Sequence, residues 1–161
     1  MVRKIINVQF HTDKSGSMVI TGMRDSGYPF EITISQSNPL SSISITNEYF
    51  IFRTKQKQAE YIVYFRDVDM THVGAPTRKL DWSGCDKPAP TGMIYLIHDV
   101  ISEVKYFCYV KKYLNADIQL EVEYLKERYR DCEKFISDFD FDVMVNELIR
   151  RFEAVHGVPQ Q

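Results

Sequence analysis

Two aspartates and a histidine near the middle of the chain have the residue types and spacing of a small metal site. Asp67 and Asp69 alternate around one residue, so both carboxylates would point to the same side of a β-strand, and His72 follows three residues later. Carboxylate oxygens and imidazole nitrogens are ordinary metal ligands. Because no further ligand lies nearby in the sequence, we interpret the three residues as the polar end of a strand that enters a loop.

The acidic run at residues 138–142 invites comparison with a calcium-binding loop. An EF-hand loop needs glycine at its sixth position and a bidentate acid at its twelfth. Val143 and Ile149 occupy those positions here. The acids are better explained as favouring the N-terminus of a helix through its dipole, by about 0.3–1 kcal/mol each.

The remaining reactive side chains form no recognisable catalytic motif. His98 and Asp99 are adjacent on a predicted helix, where neighbouring positions point about 100° apart, so we expect no imidazole–carboxylate pair. Cys85 lies in a predicted loop, and nothing in the sequence places a histidine beside it. Nucleotide-binding, serine hydrolase and zinc protease motifs do not occur in the sequence. The sequence therefore predicts that the protein is not an enzyme and uses no metal or cofactor.

Aromatic and cationic side chains are interleaved on the last two predicted strands. Tyr49, Tyr61 and Tyr64 lie close in sequence to Arg53 and Arg66. Rings beside cations on a sheet can stack single-stranded bases, and tyrosine and arginine are equally favoured where two proteins meet. The rings could instead fill the core. The sequence leaves the three interpretations open, and we take these five residues as candidates for contact with a partner protein.

Residues 1–69 predict a mainly antiparallel sheet of about six strands. Apolar residues alternate with polar ones, as at Ile6, Val8 and Phe10, which is the period of a half-buried strand. Turn residues such as Gly16 separate the alternating segments at short intervals. Short connections favour antiparallel neighbours because a parallel crossover needs a dozen or more residues.

Residues 70–91 interrupt the periodic pattern and divide the chain into two parts. They contain five glycine and proline residues and the only tryptophan, Trp82. Loops of this length are uncommon unless they are functional or mobile. We therefore expect a linker between a β-rich subdomain at residues 1–69 and a helical subdomain at residues 92–157, which can share one core. Trp82 is a further candidate for partner contact.

Three helices are predicted in residues 92–157, and the second carries the most regular apolar pattern in the chain. Its apolar positions follow a 4-3-4-3-4 spacing, which we call the helix-two seam, at Ile118, Val122, Leu125, Tyr129, Cys132 and Ile136. Charged residues occupy most of the other positions. The seam can pack against helices of the same chain or against a second copy in a homodimer, and two heptads do not decide between these alternatives.

The composition indicates a globular protein. It shows neither the clustered cations of a nucleic-acid binder nor the long apolar run of a membrane span. Hydrophobic residues make up 44% and charged residues 26% of the 161-residue chain, and the formal net charge is −2. Duplex binders cluster many cations, and no apolar run approaches the roughly 20 residues of a membrane span. Three widely spaced cysteines form no disulfide framework, which suits reduced thiols. We therefore expect a cytoplasmic α+β protein for which nucleic acid is the less favoured partner.

In length, mild acidity and lack of an enzyme motif, the whole chain resembles the Lon protease inhibitors of T4-like phages. The resemblance implies a phage protein of host takeover, made in the bacterial cytoplasm, that binds the ATP-dependent AAA+ protease Lon and stops it degrading proteins. It covers all 161 residues through these overall properties, and no individual functional residue carries over from it. A protein-binding regulator is the first hypothesis. A single-stranded nucleic-acid-binding or transcription-modulating protein is the alternative.

Overall fold

The computed structural model describes residues 2–71, 90–130 and 140–157, and within them a six-stranded sheet is followed by three helices. The elements are β1 (Val2–Thr12), β2 (Met18–Arg24), β3 (Pro29–Ile34), β4 (Leu40–Ile45), β5 (Tyr49–Thr54), β6 (Glu60–Tyr64), α1 (Pro90–Leu114), α2 (Gln119–Arg130) and α3 (Phe141–His156). A 3-10 turn, Phe65–Asp67, follows β6. This arrangement confirms the predicted α+β class, with its strands before its helices.

The strands lie in the order β3-β2-β1-β6-β5-β4, so two three-stranded meanders meet at the centre of the sheet. Every neighbouring pair is antiparallel except β1 and β6, which run parallel with Val2 opposite Glu60 and Lys4 opposite Ile62. The sheet is thus mainly antiparallel, as predicted. The exception arises because short connections constrain only consecutive strands, whereas β1 and β6 are distant in the chain.

The connection between β3 and β4 shows that the sheet is curled. These strands occupy opposite edges, which in a flat six-stranded sheet would be ~24 Å apart. The chain from Ile34 to Leu40 reaches at most ~20–22 Å when fully extended, and Ser35 and Asn38 instead form a turn through mutual backbone hydrogen bonds. The two edges must therefore approach each other, and they bring residues of distant strands together on the inner face.

Strand β1 bends at a bulge near its middle. Its register with β2 shifts between Ile6 and Gln9, and Asn7 has a φ of 52°, a left-handed conformation that asparagine tolerates better than most residues. Gly22 lies opposite the bulge, where a Cβ atom would be 2.7 Å from the carbonyl oxygen of Ile6. The missing side chain at Gly22 therefore lets the two strands approach where β1 bends.

The helices cover the inner face of the sheet. The buried residues of both segments form one cluster, in which Ile5, Phe50 and Val63 of the strands join Ile97 of α1 and Phe152 of α3. The β-rich and helical segments therefore share a core. This burial explains the long apolar stripe of α1, since a helix between a sheet and other helices needs a wide apolar surface.

The described part of the helix-two seam packs inside the chain. Leu125 and Tyr129 are 1% and 2% exposed, Ile118 is buried, and Val122 is half-buried. The last two seam residues lie outside the described part of the chain: Cys132 and Ile136. At Leu125 and Tyr129 the structure therefore shows packing within the chain, which removes both side chains from any surface that a second copy could contact.

Capping groups define both ends of α3. The Asp140 carboxylate accepts hydrogen bonds from the backbone N–H groups of Asp142 and Val143, at 2.8 and 3.3 Å. At the other end, Gly157 has a φ of 84° and donates its N–H to the carbonyl oxygen of Glu153. The acidic start agrees with the interpretation of residues 138–142 as the N-terminus of a helix, and glycine is the usual residue just past a helix end.

We expect Leu125→Asp to lower the free energy of unfolding by about 3 kcal/mol or more, because it places a carboxylate without a partner in the shared core. Glu127→Ala on the exposed side of the same helix serves as the control and should cost about 0.5 kcal/mol or less. Urea denaturation followed by circular dichroism measures both. Equal losses from the two substitutions would show that Leu125 is not a core residue.

Candidate functional site

Strands β5 and β6 separate their side chains cleanly between the two faces of the sheet. On β5, Phe50 and Phe52 are fully buried, whereas Tyr49 and Ile51 are half-buried on the opposite side. On β6, Val63 is buried in the same way, and its neighbours on either side are half-buried. This period of two gives the sheet an inner face in the core and an outer face that solvent reaches.

The outer face carries a compact group of apolar, aromatic and cationic side chains, which we call the outer-face patch: Tyr49, Ile51, Arg53, Ile62, Tyr64 and Arg66. Cross-strand pairing sets its geometry, with Tyr49 directly opposite Tyr64 and Ile51 opposite Ile62. The two tyrosine rings meet edge to face, with centroids 5.4 Å apart. Side chains opposite each other on one face of a sheet are the closest neighbours it offers, so pairing alone brings these residues together.

Cations surround the Tyr64 ring. The Arg66 guanidinium lies 4.7 Å from the ring centroid and the Lys4 ammonium 5.3 Å from it. Lys4 also lies 3.8 Å from the Asp67 carboxylate, so its charge is partly balanced. At the far end of the patch, exposed Arg53 donates from Nε to the Ser41 hydroxyl at 3.3 Å. The patch thus combines an apolar centre with an arginine at each end, and the acidic residue Glu60 shares this face of β6 at the Arg53 end.

The structure brings together four of the six residues predicted to contact a partner: Tyr49, Arg53, Tyr64 and Arg66. It corrects the expectation for Tyr61, which points to the inner face, is 5% exposed, and packs against Phe30 and Phe52 with centroid distances of 4.8 and 5.5 Å. Trp82 lies outside the described residues. Sequence reasoning missed Ile51 and Ile62, although a period of two counted from Tyr49 and Tyr64 would have placed both on the same face.

The acidic pair considered as a metal site is used within the fold. Gln9 Nε2 donates to Asp69 at 2.5 Å, and the backbone N–H of Thr71 donates to the same carboxylate at 2.8 Å. Asp67 lies beside Lys4. His72 is outside the described residues, and among those that are described no group of three potential metal ligands occurs.

A buried polar cluster joins α1 to α2. Glu103 is 6% exposed and accepts hydrogen bonds from the Arg128 guanidinium and, at 3.2 Å, from the Tyr129 hydroxyl. Burial, the largest single influence, would lower the pKa of Arg128, but the hydrogen bond that Arg128 donates to Glu103 and the electrostatic effects of Tyr129, Glu103 and Tyr124 together outweigh burial, so the pKa is raised. Burial, reinforced by the negative charge of Glu103, also raises the pKa of Tyr129. Arg128 therefore stays charged and Tyr129 stays neutral, as the cluster requires.

The expectation for His98 and Asp99 was wrong. His98 Nδ1 lies 3.0 Å from Asp99 Oδ1, within hydrogen-bonding distance, and Asp99 is 4% exposed. The side chains reach each other because rotation about their χ angles closes the gap that the helical twist opens between adjacent Cα positions. The contact lies on α1 and satisfies a buried carboxylate.

A groove of about 330 Å³ lies where the end of α1, the start of α2 and the end of α3 converge. Its floor is apolar and includes Cys108, Ile118 and Phe152. Burial, together with the nearby negative charge of Glu153, raises the pKa of the Cys108 thiol to about 12. The thiol is therefore protonated at neutral pH and is a poor nucleophile.

Comparison with known proteins identifies no relative: no family model matches the chain, and no curated protein or solved structure is significantly similar to it. None of the helices in the described ranges is long and apolar enough to cross a membrane.

Stability measurements should separate the inner tyrosine from the outer ones. We expect Tyr61→Ala to lower the free energy of unfolding by roughly 3–5 kcal/mol, because it leaves a cavity between Phe30 and Phe52. Tyr64→Ala removes a half-buried ring from the outer face and should cost about 1 kcal/mol. Thermal and urea denaturation of the two variants provide the comparison. If Tyr64→Ala were the more destabilising change, Tyr64 would be a core residue rather than a residue of the outer face.

Proposed function

We propose that the protein is a regulator that works by binding another protein through its outer-face patch rather than by catalysis. The observation that carries this proposal is the pairing of Tyr49 with Tyr64 and of Ile51 with Ile62 on a face that solvent reaches, between two arginines. Tyrosine and arginine dominate the binding energy of protein interfaces. An apolar centre with a polar rim is also the usual arrangement of such interfaces.

The most concrete form of this proposal is inhibition of the bacterial ATP-dependent AAA+ protease Lon, to whose phage inhibitors the chain is similar in size and character. A folded inhibitor of an unfolding machine must resist being pulled apart. Strand β1 supports this role because it is hydrogen-bonded to β2 on one side and β6 on the other. Extraction of β1 would have to break both ladders.

Purified protein should inhibit ATP-dependent degradation of casein by purified Lon. The double substitution Tyr64→Ala and Arg66→Ala should weaken inhibition about tenfold or more, because a loss of ~1.4 kcal/mol at an interface has that effect. Arg151→Ala on the exposed side of α3 is the control and should inhibit like the wild type. Circular dichroism checks that each variant is folded.

The two parts of this proposal fail separately. Undiminished casein degradation in the presence of the wild-type protein would remove Lon as the partner. Full inhibition by the folded double variant would leave Lon as the partner but exclude the outer-face patch as the contact.

Single-stranded nucleic acid is the second candidate partner. The Arg66 guanidinium stacks over the Tyr64 ring on the solvent-facing side of the sheet, and such pairs resemble the platforms on which bases stack. Fluorescence anisotropy with a labelled single-stranded oligonucleotide tests it. Binding that weakens steeply with salt and is lost in the double variant would support this candidate over a protein partner.

We also propose that the protein forms a homodimer, through the exposed side of α1 and α2 rather than through Leu125. Leu120 and Tyr124, four positions apart on one face of α2, are 82% and 64% exposed, and Leu114 at the end of α1 is 67% exposed. A contiguous exposed apolar patch often marks an interface.

Light scattering should give a mass about twice the 18.9 kDa of one chain. Leu120→Glu should shift the protein towards one chain without unfolding it, because Leu120 is largely outside the core. Val143→Glu, on the exposed side of α3, is the control. A mass near 18.9 kDa for the wild type at micromolar concentration would contradict the dimer.

A further inference from the structure

We infer that the two copies of the proposed homodimer face each other groove to groove about a twofold axis, so that the end of α1 in each copy lies against α2 of the other. The groove is the one between the ends of α1 and α3 and the start of α2. The inference rests on the proposed homodimer, not on the outer-face patch, and adds which surfaces meet. Two features carry it: the arrangement of charge around the groove and the exposed apolar side chains beside it.

The charged residues around the groove are sorted by sign. Both bases come from the last turn of α1, whereas the acids come from α3, from α2 and from the position two residues before α2. These charged residues are Lys111, Lys112, Asp117, Glu123 and Glu153. The groove therefore has a basic side on α1 and an acidic side on α2 and α3.

Both sides of the groove keep charge that a partner can contact. Within the described ranges, the exposed side chain of Lys111 has no carboxylate at ion-pair distance. Asp117 accepts a hydrogen bond from the backbone N–H of Gln119 at 3.0 Å, and no cation of those ranges is paired with it. Glu123 lies 3.9 Å from Lys126, but its side chain is 62% exposed. Contacts within the chain therefore leave both sides of the groove charged.

A surface with one basic side and one acidic side is complementary to itself. A twofold rotation about an axis through the groove turns the α1 side of one copy onto the α2 side of the other, and each contact occurs twice. Lys111 then lies opposite Glu123 of the partner subunit. A peptide with a single sign of charge would be repelled by one of the two sides. The groove therefore fits a second copy of this chain better than an acidic or a basic peptide.

Exposed apolar side chains lie beside the charges on the same two helices. Leu114 follows Lys111 by three positions and is 67% exposed, and Leu120 precedes Glu123 by three positions and is 82% exposed. Residues three positions apart lie on one side of a helix. The rotation that pairs the charges thus brings Leu114 of each copy towards Leu120 of the other and covers both apolar groove floors. Burial of these surfaces drives association, and the charges set the orientation.

The competing arrangement places α2 of one copy against α2 of the other. It would also bury Leu120, but it brings the exposed acids Glu123 and Glu127 of both copies together. The three cations of α2 already contact acids of their own chain. Like charges across an interface are unfavourable, so the packing of α1 on α2 is the better arrangement.

Charge reversal on each side of the groove tests this arrangement in the full chain. Lys111→Glu should raise the dissociation constant of the dimer about tenfold or more, because it places like charges opposite each other at two equivalent contacts. Glu123→Lys should have the same effect for the same reason. Arg151→Glu, on the exposed side of α3, changes the net charge as Lys111→Glu does and should leave the constant unchanged. Analytical ultracentrifugation measures the constants, and circular dichroism checks that each variant is folded.

A mixture of the two groove variants tests the pairing directly. In a mixed dimer the Lys111→Glu side of one copy faces the Glu123→Lys side of the other, and the two unaltered sides also face each other. Both contacts again join opposite charges, so we expect the mixture to dimerise about tenfold more tightly than either variant alone. A mixture as weak as its components would overturn the inference, as would unchanged dissociation constants for both single variants.

These measurements distinguish failure of the inference from failure of the proposed homodimer. A wild-type dimer that Leu120→Glu dissociates, but that neither charge variant weakens, would keep the homodimer and overturn the packing of α1 on α2. A monomeric wild type would overturn both. If that monomer bound the dye anilinonaphthalene sulfonate, and Ile149→Trp in the groove wall abolished the binding, the groove would be a site for small apolar ligands instead.

Discussion

The short connection between β3 and β4 constrains the whole structure. These strands are the two edges of the sheet, and only residues 35–39 join them. A chain this short cannot span a flat six-stranded sheet, so the sheet curls and its two faces become unequal. On the inner face, rings of strands that are not neighbours meet, as Phe30 and Tyr61 do at 4.8 Å. The outer face keeps the complementary set of side chains, and the outer-face patch is built from that set.

The helices cover the inner face of the sheet, and the buried polar cluster between α1 and α2 helps to position α2. Glu103 is a charge in a buried position, and an isolated buried carboxylate would be strongly destabilising. Its bonds from Arg128 and Tyr129 offset that cost only when α2 lies with the helix-two seam towards the core. Buried ion pairs contribute little net stability but penalise alternative arrangements in which one partner is left alone. The cluster therefore fixes the orientation of α2, while the burial of Leu125 supplies the favourable energy.

Local patterns in the sequence predicted most of the elements but not their long-range arrangement. The alternation at Ile6, Val8 and Phe10 and the spacing of the helical stripes are short-range signals, and the corresponding strands and helices are present. The parallel pairing of β1 with β6 has no such signal, because it joins segments more than 50 residues apart. The rule that short connections give antiparallel pairs does not apply to it.

The candidate site could be predicted only in part, because local patterns did not show which face of the sheet each side chain occupies. Residues 61–65 form a continuous run of apolar and aromatic side chains, so periodicity could not decide which of them face the core. Tyr61 and Tyr64 are three positions apart and therefore point to opposite faces of a strand, which separates a core ring from a surface ring. The fold was needed to show that Arg66 turns back over Tyr64 and joins the patch from beyond the strand end.

A net charge of −2 conceals the local distribution of charge on the outer-face patch. Acids and bases nearly cancel over the whole chain, yet the sheet places Arg53 and Arg66 on one face without carboxylate partners among the described residues. The strands that carry this face are β5 and β6, and β6 is paired on both sides within the sheet. A surface on paired strands is already ordered before a partner arrives, so less conformational entropy is lost on binding. If the partner is a machine that unfolds proteins, the contact surface is then built on a part of the fold that resists unfolding.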